Sequence, residues 1–346
     1  MSGLTEPQTA ARLFFLRNGF LPIDRESYAV FKNYDTGIRQ FHELTATVST
    51  IWAFGFGAVY RIIDDFLCSV WFYGGGDVYV YIQRPPESLP AGEPGIAGAR
   101  TASPQRTLAG LVDTLYAMVR DAGLPLLKIW AVDDSLLAEL QEALAGVYKL
   151  DSEYSAGFSE YVYHVRDILA WDGGINLNKR NSLKRCFNTP GVSVRPLSGE
   201  DFPACFAVED EWCRHQDCDA CRAFAGCGKD ALVNMEEIFN KGDYRGLLLY
   251  VNNEPAGYAI WEVLGPSGSR TAYVYFAKAN ISNFNVFLYW TMAKDYLDGV
   301  DYLNNGYDMG KPGLRGFKRH LSVHTMMGKY LCTLSPITEG SYLTRA

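Results

Sequence analysis

Residues Gly246–Leu264, GLLLYVNNEPAGYAIWEVL, carry the pattern that decides the fold. Two runs rich in apolar and aromatic residues, Gly246–Val251 and Ala256–Leu264, flank the turn-forming residues Asn252-Asn253-Glu254-Pro255 and so predict an antiparallel strand pair. Three more elements are predicted downstream: a strand at Thr271–Ala277, an apolar helix at Asn285–Leu297 and a strand at Tyr302–Asn304. Consecutive strands followed by a helix and another strand predict an α/β domain with a mixed sheet.

The first half of the chain repeats this order. Its predicted elements are strands at Phe66–Tyr73 and Val78–Ile82 around the turn Gly74-Gly75-Gly76-Asp77, a helix from Leu108 to Val119, a strand at Leu126–Val132 and a helix at Ser135–Ala145. Helical segments around Phe202–Arg214 and Ala231–Asn240 precede the second sheet. We therefore predict two α/β domains, residues 1–165 and 166–346, with the active site in the second and the junction within Tyr163–Asn178.

Length and charge limit the classes of function. A chain of 346 residues is long enough for two cores of ordinary size. The net charge of −7 argues against broad, sequence-independent binding of nucleic acid, which needs a cationic surface, although it leaves room for a local basic patch. Aromatic residues make up 14% of the chain, a fraction typical of a sheet-rich protein with a lined cleft.

The sequence also indicates a compartment. The N-terminal residues lack the basic and apolar regions of a signal peptide, and the apolar run Ile51–Tyr60 is far shorter than the roughly 20 residues that span a bilayer. The 8 cysteines are too sparse for a disulfide scaffold. We expect a cytoplasmic protein with reduced thiols and no membrane insertion.

The stretch from Asn304 to His320 holds most of the candidate site residues. A strand ends in a glycine-rich loop, and a basic segment follows. Glycines let backbone N–H groups approach an anion, and Arg or Lys side chains clamp phosphate or carboxylate. The candidate donor-binding residues here are Asn304, Gly310, Gly313, Arg315 and Lys318, and the candidate catalytic residues are Tyr307, as a phenol acid, and Asp308, as a base or an orienting group. The alternative is an ordinary turn followed by a solvated basic face.

Two other cationic positions are candidates. The basic run Asn178–Arg185 includes Lys179 and Arg180, which would grip phosphates of a nucleotide cofactor or of a tRNA acceptor end; otherwise it is a charged helix face. Lys278 lies at the end of a predicted strand that faces the same cleft, so it is a third candidate catalytic residue.

Four cysteines form a separate candidate site. Cys213, Cys218, Cys221 and Cys227 follow the spacing C-x4-C-x2-C-x5-C, and thiolates at such spacing bind Zn or an Fe–S cluster. The usual structural zinc pattern has two separated C-x2-C pairs, so we favour free thiols and no metal. The motifs G-x-S-x-G, Walker A, H-E-x-x-H and G-x-G-x-x-G are absent, which leaves hydrolase, kinase and dehydrogenase functions without support.

Several segments together resemble a bacterial family related to the C-terminal domain of phosphatidylglycerol lysyltransferase. The matching segments are Glu43-Leu44-Thr45, Ile51-Trp52, Glu160-Tyr161-Val162-Tyr163, Lys179-Arg180-Asn181, Trp212, Ala277-Lys278-Ala279, Asp308-Met309-Gly310, Gly313-Leu314-Arg315, Lys318 and Lys329-Tyr330. The resemblance implies two tandem GNAT-like domains, which are acyl-CoA N-acyltransferase-like. It also implies transfer of an acyl or aminoacyl group to an amine or hydroxyl, with no tightly bound cofactor.

The sequence departs from this family pattern at positions that bear on chemistry. Asn305-Gly306-Tyr307 replaces an Arg-Glu-Asp run, and Ala277 replaces an acidic residue. The phosphate loop R/Q-x-x-G-x-G/A is absent between Lys278 and Asn285, which favours an aminoacyl-tRNA donor over acetyl-CoA. We expect a transferase acting on a small-molecule or peptide acceptor. The alternative is a catalytically degenerate binding protein that senses a nucleotide-type or anionic ligand. The oligomeric state stays open.

Overall fold

A computed structural model describes residues 4–36, 40–84, 108–173, 177–214 and 227–337. The strands in these ranges are β1 Leu21–Pro22, β2 Val59–Ile63, β3 Phe66–Phe72, β4 Val78–Gln83, β5 Leu127–Val132, β6 Tyr148–Tyr154, β7 Glu160–His164, β8 Val192–Pro196, β9 Tyr244–Val251, β10 Glu254–Leu264, β11 Thr271–Ala279, β12 Tyr302–Asn304, β13 Thr325–Met327 and β14 Tyr330–Pro336.

The helices in the same ranges are α1 Glu6–Arg17, α2 Tyr28–Lys32, α3 Ala46–Phe56, α4 Leu108–Asp121, α5 Asp134–Ala143, α6 Val165–Leu169, α7 Leu177–Phe187, α8 Phe202–Cys213, α9 Gly228–Phe239, α10 Phe284–Tyr296 and α11 Pro312–His320. Among these described helices, none is long and apolar enough to cross a membrane. Every strand and helix predicted around the two turns is present, with its ends shifted by a few residues at most.

The chain divides into two compact units. The first comprises residues 1–35, 43–156 and 328–346, and the second comprises residues 36–42 and 157–327. The first unit contains a seven-stranded sheet in the order β1-β2-β3-β4-β5-β14-β6. Its core is apolar, since Val70, Leu115 and Ile129 are fully buried between the sheet and its helices.

The second unit contains a seven-stranded sheet in the order β13-β7-β12-β11-β10-β9-β8. Its pairs are antiparallel except for β11 and β12, which run parallel because α10 returns the chain between them. Helix α10 is buried on almost every face, as the apolar run in its sequence predicts. In the first unit β4 and β5 form a parallel pair bridged by α4, so the element order predicted for both halves is present in both.

The boundaries of the two units differ from the predicted division at residue 165. Strand β7 precedes that residue, yet it pairs with β12 and β13 in the second sheet. Strand β14 comes near the C-terminus, yet it pairs with β5 and β6 in the first sheet. Local sequence patterns do not reveal such pairings, because the paired strands lie far apart along the chain.

Candidate active site

The parallel strands β11 and β12 separate after a short pairing. Their register ends at the pair Tyr273–Asn304. Beyond this point Asn305 and Gly306 exchange backbone hydrogen bonds of 2.9–3.0 Å with Tyr161 of β7, whereas β11 continues along β10. The divergence opens a gap at the carboxyl end of β12, which we call the wedge. Ligands of α/β sheets bind at such strand ends.

The backbone carbonyl of Val274 faces the wedge. The Arg270 carbonyl accepts the Tyr302 N–H at 3.1 Å, and alternate residues of a strand turn their carbonyls to the same side. If the ladder continued, the N–H of Gly306 would donate to the Val274 carbonyl. It donates instead to the Asn304 Oδ1 at 2.8 Å, so the ladder stops and the Val274 carbonyl takes no hydrogen bond from the segment after β12.

A β-bulge bends β11 at the same point. In the pairing with β10, Ile260 lies opposite Phe276 and Trp261 lies opposite Val274, so Tyr275 has no opposing residue. A bulge increases the local twist and redirects backbone and side-chain groups, and bulges are enriched beside active sites. The backbone of β11 therefore changes direction at the mouth of the wedge.

The segment Gln40–His42 lies in the wedge. The His42 Nε2 donates to the Val274 carbonyl at 3.0 Å, because a carbonyl only accepts. The Tyr273 hydroxyl donates to the Gln40 carbonyl at 3.0 Å. On the other side the His42 ring lies against Gly306, where an added Cβ would be 3.7 Å from Nδ1. The imidazole thus contacts both strands that diverge.

Glu160, the first residue of β7, fixes the floor of the wedge. Its fully buried carboxylate accepts the His42 backbone N–H at 2.9 Å and the Asn304 Nδ2 at 2.7 Å. Asn304 was predicted to bind the donor, but both ends of its amide are engaged inside the protein, with Glu160 and with the Gly306 N–H. We infer that Asn304 shapes the loop that follows β12.

Asp308 and Arg315 form an ion pair beyond β12. The Asp308 carboxylate is fully buried and accepts from the Tyr161 hydroxyl at 2.6 Å, the Arg315 Nε at 2.9 Å and Nη2 at 3.2 Å, and the Gly310 N–H at 2.8 Å. Burial alone would raise the pKa of Asp308, but these hydrogen bonds outweigh it and hold the pKa below its ordinary value.

This arrangement favours the orienting role for Asp308. A carboxylate with a lowered pKa and four donors around it is a weak proton acceptor near neutral pH. It fixes the guanidinium through two of its nitrogens, while the Arg315 side chain is 35% exposed. An oriented, partly exposed guanidinium is suited to binding a carboxylate or phosphate oxygen.

The ammonium of Lys318 is buried beside this pair. It donates to the Asn305 carbonyl and lies 5.8 Å from the centre of the Tyr161 ring. Burial lowers the pKa of Lys318 to about 7, and the negative charges of Glu160 and Asp308 offset only part of that effect. Lys318 was predicted to bind donor phosphates, and the structure places its ammonium in the interior beside Asp308.

The lowered pKa of Lys318 predicts a pH-dependent stability. Between pH about 7 and its ordinary value of 10.5, the unfolded chain binds a proton at this lysine and the folded chain does not. Stability therefore rises with pH in this window, by at most about 1.4 kcal/mol per pH unit. Urea unfolding at pH 6 to 9 gives the gap, which is the unfolding free energy of wild type minus that of Lys318→Met. We expect this gap to increase as the pH rises.

The exposed lysine Lys184 supplies the matched control for that series. For Lys184→Met we expect the gap to wild type to stay constant over the same pH range, because an exposed ammonium loses little hydration on folding. A constant gap for Lys318→Met as well would mean that its ammonium stays charged in the folded protein, contrary to our account.

Lys179 and Arg180 lie on α7 and differ in exposure. The buried Lys179 ammonium contacts the Ser322 hydroxyl just after α11 and lies 4.7 Å from the centre of the Trp171 ring. Burial lowers the pKa of Lys179 to about 8, against the effect of Asp167. Lys179 thus joins α7 to the end of α11, and Arg180, which is half-buried, is the one of the two that solvent reaches.

Helices α7 and α11 present a cationic surface. Neither helix contains an acidic residue. Besides Arg315, five cationic side chains on or next to them are exposed or half-buried: Arg180, Lys184, Arg185, Lys311 and Arg319. We call these residues the basic surface, and it contrasts with the net charge of −7 of the whole chain.

Lys278 belongs to a different cluster from Asp308. Its ammonium contacts both carboxylate oxygens of Glu209 on α8, at 2.7 and 2.6 Å, and lies 5.6 Å from the centre of the Trp212 ring. Glu209 is fully buried and also accepts from the Tyr258 hydroxyl at 2.7 Å. As a candidate catalytic residue Lys278 would have to leave this ion pair, so we infer a structural role.

The remaining predicted residues of this loop lie near Asp308. The half-buried Tyr307 ring packs on Phe158 at 5.1 Å between centres. Gly310 has a φ of 70°, which suits glycine, and its N–H holds Asp308. Gly313 is exposed in the first turn of α11, with no atom within 4 Å of an added Cβ.

The close contact between Gly157 and Gly310 predicts a sensitive position. A Cβ added to Gly157 would lie 2.8 Å from the backbone nitrogen of Gly310, so Gly157→Ala must displace the loop that holds Asp308. We expect a loss of about 1–3 kcal/mol of unfolding free energy, measured by chemical denaturation. Gly316→Ala is the control, because an added Cβ meets nothing within 4 Å in α11, and it should stabilise by about 0.5–1 kcal/mol. Effects of the same sign would contradict this geometry.

Half of the cysteine motif can be placed. Cys213 ends α8 and Cys227 directly precedes α9, whereas Cys218 and Cys221 lie outside the described residues. Among the residues that the structure describes, no group of three or more His, Cys, Asp or Glu side chains is arranged to hold a metal ion. The prediction that these cysteines bind no metal therefore stays a prediction.

Sequence reasoning missed three residues of the site. Glu160 and Tyr161 were named only within a segment that resembles the family, and no pattern in the sequence singled out His42. His42 meets Val274 across a sequence separation of 232 residues. A separation of that size gives no signal in a single sequence, whereas the local pair Asp308–Arg315 stood within one motif.

Comparison with known proteins identifies the family. The sequence family described as "Phosphatidylglycerol lysyltransferase, C-terminal" matches residues 69–333. No curated protein sequence matches the chain. Among solved structures, a conserved protein of unknown function from Bacteroides thetaiotaomicron VPI-5482 is similar with a TM-score of 0.76 and 20% identity, over 92% of this chain and 99% of that chain.

Two solved structures carry names from the same family. The C-terminal domain of a putative lysylphosphatidylglycerol synthetase from Agrobacterium fabrum matches with a TM-score of 0.59 and 13% identity, over 89% of this chain and 92% of that chain. The structure of L-PGS from Bacillus licheniformis matches with a TM-score of 0.57 and 13% identity, over 90% of this chain and 91% of that chain. These likenesses establish the fold, and the predicted mixed α/β architecture with two domains, each built on its own sheet, is confirmed. The chain belongs to the phosphatidylglycerol lysyltransferase C-terminal family, a family of aminoacyl- or acyltransferases.

Proposed function

We propose that this protein transfers an aminoacyl group from an aminoacyl-tRNA to an amine or hydroxyl of a small-molecule or peptide acceptor. The reaction takes place at the wedge and at the Asp308–Arg315 pair. The observation that carries the proposal is the buried carboxylate of Asp308, which orients a partly exposed guanidinium beyond the end of β12. An oriented cation at a strand end is suited to an anionic group of a donor or acceptor.

The start of α10 supports a donor other than acyl-CoA. Residues 280–283 connect β11 to α10 without a glycine. The N–H groups of Phe284 and Val286 donate to the Ile281 and Asn283 carbonyls at 3.2 and 3.1 Å, and the Asn283 side chain accepts from the Ser182 hydroxyl. Amides already bonded within their own turn are not available to cradle a pyrophosphate.

The basic surface on α7 and α11 supports an RNA donor. A tRNA presents a row of phosphates, and each exposed Lys or Arg that meets a phosphate releases a counterion and adds affinity. The exposed cations Lys184, Arg185 and Arg319 belong to this surface. The contact between Lys179 and Ser322 ties the end of α11 to α7, so the exposed cations of both helices lie on one part of the unit.

The chemistry of the proposed reaction is ester aminolysis or transesterification. The acceptor nitrogen or oxygen attacks the carbonyl carbon of the aminoacyl ester, and the bond to the terminal ribose oxygen of the tRNA breaks. The proton lost by the acceptor finally resides on that ribose oxygen. Backbone N–H groups at the bulge of β11 would stabilise the tetrahedral intermediate, and the Tyr307 phenol is a candidate donor of the proton to the leaving oxygen.

A second candidate function is ligand sensing without turnover. Two observations favour it: the Asp308 carboxylate is saturated with donors, and Asn305-Gly306-Tyr307 supplies no acidic group after β12. In that case the Arg315 guanidinium would bind an anionic ligand that leaves unchanged.

Native mass spectrometry of the purified protein tests the donor. The probes are bulk aminoacylated tRNA, the same tRNA after deacylation, and acetyl-CoA. We expect a complex with charged tRNA that is weakened by Arg315→Ala and by the triple change of Lys184, Arg185 and Arg319 to Ala, and a far weaker complex with acetyl-CoA. A complex with acetyl-CoA alone, or no complex with any probe, would contradict the proposal.

A further inference from the structure

We propose that His42 sets the donor selectivity of the wedge by occupying the strand edge on which an extended, amide-bearing pantetheine arm would bind. This inference rests on the proposed function in one respect, since it explains why an acyl-CoA is refused and a donor with a compact ester end is accepted. It adds a selectivity residue from the N-terminal part of the sequence, where no other residue is assigned to the site.

The edge of β11 is a binding surface for an extended chain. The Val274 carbonyl faces the wedge, and the ladder to β12 has ended one residue earlier, at Tyr273. A strand edge that is not paired with a neighbouring strand can take up an extended partner through backbone-type hydrogen bonds. A pantetheine arm is such a partner, because it is extended and carries two amides.

His42 uses the same hydrogen-bonding group. Its Nε2–H donates to the Val274 carbonyl at 3.0 Å. This bond takes the place of the ladder hydrogen bond that the Gly306 N–H does not make. A donor arm would have to displace this bond before it could pair with β11. The arm would then donate to the Val274 carbonyl and leave the part-buried imidazole N–H without its acceptor, which is costly.

Two further bonds hold the segment in place. The buried Tyr273 hydroxyl donates to the Gln40 carbonyl at 3.0 Å, and both oxygens of the buried Glu160 accept the His42 backbone N–H at 2.9 Å. The imidazole also contacts Tyr275, with ring centres 5.2 Å apart, and faces Gly306 on the opposite side. The ring therefore stands between the two strands where an arm would enter.

The test compares CoA binding by variants of His42. His42→Ala removes the ring and the donor, and we expect acetyl-CoA to bind at least about tenfold more tightly than to wild type, measured by isothermal titration calorimetry. His42→Gln keeps an N–H donor at similar reach, and its affinity for acetyl-CoA should equal that of wild type. His164→Ala, which removes a histidine of β7, controls for loss of a ring in the same sheet.

Tyr273→Phe keeps the test decisive if His42→Ala does not fold. It removes only the hydroxyl that holds Gln40, and we expect a rise in acetyl-CoA affinity of about threefold. Folded His42→Ala, or failing that folded Tyr273→Phe, with the affinity of wild type would overturn the inference. Equal gains in His42→Ala and His42→Gln would overturn it as well, because the bond to Val274 would then not matter.

The result is independent of the test of function. If wild type binds charged tRNA and His42→Ala gains no affinity for acetyl-CoA, only the selectivity role of His42 fails. If no variant or wild type binds charged tRNA and His42→Ala gains acetyl-CoA, the donor proposal fails and the role of His42 at the edge of β11 stands.

Discussion

Replacing Asp308 with Asn is expected to lower kcat/KM for aminoacyl transfer by about 10²–10³-fold. The amide keeps the size of the side chain but loses the negative charge that pairs with Arg315. Only one of its two terminal atoms still accepts hydrogen bonds, whereas both carboxylate oxygens of Asp308 do. The measurement is the rate at which labelled amino acid leaves charged tRNA for product. Asp295→Asn is the control, since Asp295 is an exposed carboxylate at the end of α10, and its rate should equal that of wild type.

The coupling between Asp308 and Arg315 sharpens this prediction. If the carboxylate acts through the guanidinium, Arg315→Ala alone should lower kcat/KM about as much as Asp308→Asn alone. The double variant should then lower kcat/KM little more than either single variant. If the double variant instead showed the product of the two single losses in kcat/KM, the two side chains would act separately. Full activity of Asp308→Asn would remove the pair from the mechanism.

Replacing Glu209 with Ala is expected to lower the unfolding free energy by about 3–5 kcal/mol. The substitution leaves the Lys278 ammonium and the buried Tyr258 hydroxyl without their shared acceptor. Lys278 is only 23% exposed, so water restores its hydration in part. Urea unfolding of both proteins measures the difference.

The neighbouring residue supplies the matched control. Asp210 makes a similar ion pair with Lys229, at 2.6 Å, but both side chains are about half exposed, at 53% and 45%. Such surface pairs contribute little, so Asp210→Ala should unfold at nearly the same urea concentration as wild type. If the two substitutions had equal effects, burial would not be what makes the Glu209 pair important.

Local patterns in the sequence predicted the part of the site that lies within the single segment Asn304–His320. The strand ends at Asn304, the loop glycines follow, and Asp308 and Arg315 are close enough in the chain to share a motif. Strand β11 was also predicted, because it is rich in aromatic and β-branched residues, and β12 was predicted in the short segment that follows the apolar helix. The fold class followed from the order of these elements.

The rest depends on contacts between distant residues. Lys179 and Lys318 were predicted to bind donor phosphates. Only the tertiary structure shows that both ammonium groups are buried, with acceptors inside the protein. Glu209 meets Lys278 across 69 residues. His42 reaches the wedge from a segment whose local sequence carries no sign of a strand edge. Patterns of period 2 or 3.6 identify elements, and they do not identify which elements meet.

The central claim is that the second unit transfers an aminoacyl group, and a single-turnover transfer assay tests it most directly. Protein in excess is mixed with tRNA charged with labelled amino acids and a panel of amino sugars, peptides and phosphatidylglycerol vesicles, and the products are separated by mass. We predict label in a soluble amine or hydroxyl product with wild type, and about 10²–10³-fold less with Asp308→Asn. Label that stays on tRNA with wild-type protein at every acceptor, despite a stable complex with charged tRNA, would contradict the claim and leave the protein as a sensor of its ligand.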